Sequence, residues 1–118
     1  MEREKLLIKF CDFLTHVMGP ETEVVLHDRD GYIIWIAGGH ITGREVGQQD
    51  LLPAMELVAR QRAAEGFDYT TGYKSFSRKG TPLRSASLFL RDSQERLDYI
   101  LCVNQDISAY VDLQQMLD

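Results

Sequence analysis

Positive charge is in short supply in this chain. Thirteen Lys and Arg stand against 18 Asp and Glu, for a formal charge of -5. Gripping a nucleic-acid backbone needs a concentrated basic face, so the chain is not expected to hold DNA by itself. Cysteine is scarce too. Cys11 and Cys102 lie far apart and form neither a CxxC nor a four-ligand set, and they read as two reduced thiols of a cytoplasmic protein. No apolar run approaches the roughly 20 residues a membrane helix requires. The opening MEREKLLIKF mixes charges into its apolar stretch, unlike the apolar region of a signal peptide. Catalytic signatures are missing as well: there is no G-x-S-x-G elbow, no Cys/His pair supported by a motif and no acid pair set apart from the surface charges. His16, His27 and His40 lack the i, i+4 spacing or cysteine partners usual at zinc sites, so no metal is expected.

What is present suits one folded domain. The chain has 118 residues, 44% apolar and 26% charged, enough for a single modest core. From Arg3 to Met18 the residues Leu6, Leu7, Phe10, Phe13, Leu14 and Val17 recur at helical spacing on one face, and Gly19-Pro20 stops the run. ETEVVLHD, the turn Arg29-Asp30-Gly31 and YIIWIA predict a β-hairpin over 22–37. A helix is predicted from Leu51 to Glu65, with Asp50 as its N-cap and Gly66 as its stop. Strands follow over Tyr69–Ser77, Leu83–Asp92 and Tyr99–Ile107, and Ser108 is placed to cap a final helix carrying Tyr110, Leu113 and Leu117 on one side. Five strands with helices grouped between the second and third predict the α+β class: an antiparallel sheet with helices packed on one face and flanking N- and C-terminal helices.

The stretch GGHITGREVG at 38–47 has the glycine spacing of a phosphate loop. That loop needs lysine and a hydroxyl at its last two positions, where this chain has Arg44 and Glu45. Thr42-x-x-Glu45 reads instead as a capping box at the start of a short helix, with Gly38 and Gly39 permitting a sharp exit from the preceding strand. Free N–H groups at such a start, beside Arg44, would suit a carboxylate of a small ligand.

Small polar residues inside strands supply the other candidates. Ser85 and Ser87 share a strand face with Phe89, and Asn104 shares one with Cys102 and Ile100. If those faces look inward, they put a few oriented polar groups in a mainly apolar cavity, the usual make-up of a ligand site. Each has an ordinary alternative, a solvent-facing strand or a bond to backbone. His27 closes the first strand, where a bond to Asp28 or the turn is the commoner outcome. His40 stands in the loop, where binding, proton sensing and a fixing backbone bond compete.

Four blocks, GPETEVVLHD (19–28), GGHITGREVG (38–47), LRSASLFLRD (83–92) and LCVNQDIS (101–108), together resemble the YheO-like PAS domain, the sensor half of a group of bacterial transcriptional regulators. Asp106-Ile107-Ser108 is also similar to the D-I-[ST] ending of many PAS domains. The resemblance covers nearly the whole chain and implies a PAS fold that senses a ligand or dimerises, with DNA bound by a helix-turn-helix that follows. Residues 1–118 are therefore expected to form a single sensor domain, without the DNA-binding half. The function expected is cytoplasmic, non-enzymatic sensing of a small polar or anionic metabolite, without cofactor or membrane, in a homodimer. The candidate ligand-binding residues are His27, His40, Thr42, Arg44, Ser85, Ser87 and Asn104. A ligand-free dimerisation module is the alternative.

Overall fold

The computed structural model describes residues 2–49 and 61–117. Helix α1 (Glu2–Met18) is followed by strands β1 (Thr22–Asp28), β2 (Ile33–Ala37), β3 (Tyr69–Phe76), β4 (Pro82–Arg91) and β5 (Leu97–Asp106), and helix α2 (Ser108–Leu117) closes the chain. The strands form one antiparallel sheet in the order β2-β1-β5-β4-β3. The last strand therefore lies in the centre, beside the first. Of the helix predicted over 51–65, residues 51–60, with the expected N-cap Asp50, lie outside the described residues, while 61–64 are helical.

Local chemistry sets the turns. In the β1–β2 hairpin, Asp28 Oδ1 accepts the backbone N–H of Asp30 at 2.9 Å and of Tyr32 at 3.0 Å. Asp92 repeats the device between β4 and β5, accepting from Gln94 at 2.8 Å and Arg96 at 3.0 Å. Such side-chain acceptors satisfy turn N–H groups that have no ladder partner.

Strand alternation gives the sheet two buried faces. Val24, Leu26, Tyr99 and Leu101 form one core with Cys11, against which Leu7, Ile8 and Leu14 of α1 pack. Val25, Ile33, Leu83, Phe89, Ile100 and Cys102 form the other, joined by Ile41 and Ala63. Full burial of Leu26, Ile33, Leu83 and Ile100 contributes about 1.5–3 kcal/mol for each side chain.

The apolar residues of α1 divide between two faces, where a single stripe was expected. Leu7 and Leu14 pack on the sheet. Leu6, Phe10, Phe13 and Val17, spaced four, three and four apart, remain exposed. The spacing is that of a coiled-coil seam, which a 3.6-residue period alone does not separate from the sheet-facing set. The start of α1 is latched to β5: Arg3 pairs with Asp98, its Nη2 donates to the Arg91 carbonyl at 2.8 Å, and its guanidinium lies 5.4 Å from the Tyr99 ring centroid.

At α2 the expected cap moves two residues upstream. Asp106 Oδ1 accepts the Ser108 backbone N–H at 2.9 Å and the Ser108 hydroxyl at 2.6 Å. The carboxylate, with two lone pairs turned to the helix start, takes the role assigned to the serine hydroxyl. The outer residues of α2 are exposed, including Tyr110, Leu113, Met116 and Leu117. Among the described residues, no helix is long and apolar enough to cross a membrane.

Candidate functional site

The loop after β2 begins with two glycines that the packing requires. Gly38 has φ +75°, and a Cβ there would stand 2.6 Å from the Thr22 carbonyl oxygen; one at Gly39 would stand 2.8 Å from the Arg44 carbonyl oxygen. The chain then turns tightly, with bonds from Ile41 N–H to Gly38 at 3.0 Å and from Gly43 N–H to Gly39 at 2.6 Å. Gly47 N–H reaches the Ile33 carbonyl at 2.8 Å, which returns the loop to β2.

No helix starts at Thr42: residues 41–43 are turn, and 44–45 carry no regular structure. The expected capping box is not formed, because both of its members are used otherwise. Thr42 Oγ1 donates to Glu23 Oε2 and accepts from Arg44 Nε at 3.1 Å. The Glu45 N–H goes to Gln48 Oε1 at 3.0 Å.

The loop thus delivers Arg44 to a buried carboxylate. Arg44 Nη2 donates to Glu23 Oε1 at 2.6 Å, with Glu23 0% and Arg44 4% exposed. Asn104 Nδ2 donates to the same Oε1 at 2.9 Å. Two buried charges are tolerable when each neutralises the other and the remaining lone pairs find donors. Glu23 was missed in the sequence. It shares a strand face with Val25 and His27, and an acid inside that face is the signal that marks it.

Strand register arranges the remaining groups in rows across the sheet. Glu23 on β1 faces Asn104 on β5, which faces Ser85 on β4, which faces Tyr73 on β3. The next row runs Val25, Cys102, Ser87, Thr70, and the one after runs His27, Ile100, Phe89. Polarity therefore falls along the face, from a charged and hydroxylated row to a largely apolar one. The hydroxyls pair with each other: Ser75 with Ser85 at 2.8 Å and Tyr73 with Ser87 at 2.7 Å, while Ser87 lies 3.4 Å from Cys102 Sγ. One buried atom of this row, Asn104 Oδ1, has no hydrogen-bond partner among the described residues.

Of the sequence candidates, Thr42, Arg44, Ser85, Ser87 and Asn104 are buried around this polar row, and His27 is buried two rows along. His40 stands apart. It is exposed and, with Thr15, His16 and Thr22, lines an open cleft of about 400 Å³ beside the end of α1.

Burial pushes the Cys102 thiol up to about 11, partly offset by the Ser87 hydroxyl and by Arg44, and pushes Cys11 to about 11 as well. Burial, then Cys102, also raises the Tyr73 phenol. Both thiols should therefore be inert to thiol reagents in the folded chain. The folded state holds these protons more tightly than the unfolded chain, whose thiols ionise near 9.0. Their stabilising contribution is complete below that pH and is lost as pH rises toward about 11. The expected slope in that window is roughly 1.4 kcal/mol per pH unit for each thiol. Urea denaturation below and above pH 9.0 checks it, and a flat profile would contradict it.

A five-stranded antiparallel sheet with its last strand at the centre and an N-terminal helix packed on one face defines a PAS domain. Solved structures share it. One is the PAS domain of a protein from Colwellia psychrerythraea (TM-score 0.56, 17% identity, covering 83% of this chain and 98% of that one). Another is the dark state of the blue-light photoreceptor Aureochrome1 LOV (TM-score 0.56, 18% identity, covering 90% and 93%). The profile of the YheO-like PAS domain matches residues 3–118, and the chain belongs to that family. It is also similar to the transcriptional regulator DauR of Pseudomonas aeruginosa, 29% identical over 109 residues, or 92% of this chain and 49% of the regulator. The chain thus spans about half the length of that relative.

Proposed function

We propose that this domain is the cytoplasmic sensor of a transcriptional regulator, binding a small polar metabolite on the buried polar face of its sheet and dimerising through its helices. It performs no catalysis, and DNA is bound by a separate C-terminal domain. The observation that carries this reading is the polar row Glu23–Asn104–Ser85–Tyr73, its first three members buried and Tyr73 half-buried, with Asn104 Oδ1 lacking a partner among the described residues. Buried polar atoms are nearly always paired, so an unpaired one on a graded face suits a ligand.

Transmission follows the chain. Asn104 lies two residues from Asp106, whose carboxylate organises the start of α2. A ligand that prefers one arrangement of β5 shifts the population of α2 orientations by its difference in affinity for the two states. The outer stripes of α1 and α2 supply the homodimer seam, which places two DNA-binding domains on one axis.

One observation favours the second reading, a ligand-free dimerisation module. The serine, tyrosine, glutamate and arginine groups already bond to each other, while the apolar stripes are exposed. A thermal-shift screen over amino acids, organic acids, amines and nucleosides separates the two. At a hundredfold excess over Kd a true ligand adds about 2.7 kcal/mol, on the order of 10 °C in a domain of this size. No shift with any class would leave dimerisation alone.

A further inference from the structure

We infer that the ligand is recognised through a hydrogen-bond donor, an amide or ammonium N–H placed against Asn104 Oδ1, and not through a carboxylate held by Arg44. The inference rests on the proposed sensor reading and names the head group that the site takes.

A carboxylate only accepts, so the amide of Asn104 must turn its Nδ2 toward Glu23 Oε1, at 2.9 Å. That choice fixes which edge of the amide is left over. Oδ1 is an acceptor, fully buried, with no partner among the described residues. The neighbouring donors are engaged elsewhere. Arg44 donates to Glu23 at 2.6 Å and to Thr42 at 3.1 Å, and the hydroxyl of Ser85, directly across the strand from Asn104, is paired with Ser75 at 2.8 Å.

An anion entering here would meet two acceptors, Glu23 and Asn104 Oδ1, beside an Arg44 already paired with Glu23. A donor meets what is open, the Oδ1 lone pairs, and needs no existing bond of the row to break. Along the face, Val25 with Cys102 and then Ile100 with Phe89 continue the surface in apolar groups. The ligand class is therefore a short hydrocarbon body ending in an amine or amide.

Butylamine, butyramide and butyrate share one skeleton and separate the head groups. Each is titrated into the 15N-labelled chain while the Asn104 side-chain amide pair is followed by NMR. The amine or amide should move that pair, with the neighbouring Ser85 and Cys102 backbone signals, and bind at least about tenfold more tightly than butyrate. In Asn104→Leu the preference should disappear; if that variant does not fold, the wild-type ranking decides alone. Butyrate binding as tightly as the others, or perturbing Arg44 first, overturns the donor assignment and leaves the sensor reading intact. If neither these probes nor the metabolite panel perturbs the buried face, the sensor reading falls and the assignment falls with it.

Discussion

Replacing Arg44 with methionine is expected to destabilise the domain by about 3–5 kcal/mol, because the change strands the carboxylate of Glu23 in the interior. Both partners are buried, at 4% and 0% exposure, and joined at 2.6 Å. Thr42 and Asn104 donate to the same carboxylate, but neither carries a charge that balances it. The companion variant makes the test specific. Arg44→Met with Glu23→Leu removes the pair together and should recover most of the loss, since buried ion pairs are often replaced by packed apolar groups at little cost. Urea denaturation of the two single variants and the double gives the coupling energy directly. A single-variant loss below about 1 kcal/mol, the range of an exposed pair, would contradict the buried geometry. The result bears on function, since the pair keeps Arg44 engaged and leaves Asn104 as the open group.

Changing Phe10 and Phe13 together to glutamate should abolish the proposed self-association while leaving the fold intact. The two rings are 49% and 64% exposed and lie outside the core that α1 makes with the sheet. With Leu6 and Val17 they repeat at the spacing of a coiled-coil seam. Two carboxylates at the centre of such a seam would meet their copies across the two-fold axis. Affinity should then drop by at least about a hundredfold, or about 2.7 kcal/mol. Sedimentation velocity on the wild-type chain and the double variant, with thermal melts beside it, reads both effects. A wild-type chain that sediments as a monomer, or a variant that stays dimeric, would remove the α1 seam from the account.

Where the sequence could be read, the reason was a pattern with one physical meaning. Alternation in β4 put Leu83, Ser85, Ser87 and Phe89 on one face and Leu88 and Leu90 on the other, and both sets pack as that alternation requires. The sites where reading failed are those where two devices share a signature. Thr42-x-x-Glu45 has the spacing of a capping box, yet the hydroxyl is drawn to a carboxylate 19 residues upstream. No local pattern encodes that distance. Ser108 and Asp106 can both serve the start of α2, and the carboxylate takes it with two bonds. The apolar residues of α1 satisfy one helical period but serve two surfaces, because a helix packed on a sheet can still offer a seam to another helix. Arg44 and Asn104 were legible as candidates, one from its loop and one from its place in a strand. That Glu23 joins them depends on the pairing of β1 with β5, strands about 80 residues apart in the chain, which only the folded register supplies.

A small molecule acting on the buried polar face should leave its mark there. The most direct measurement is NMR chemical-shift mapping of the strongest thermal-shift hit on the labelled chain. The account predicts perturbations concentrated at Ser85, Ser87, Cys102 and Asn104, continuing through Asp106 into the first turn of α2. A hit whose perturbations fall only on the exposed stripe of α1, or in the open cleft beside His40, would contradict it.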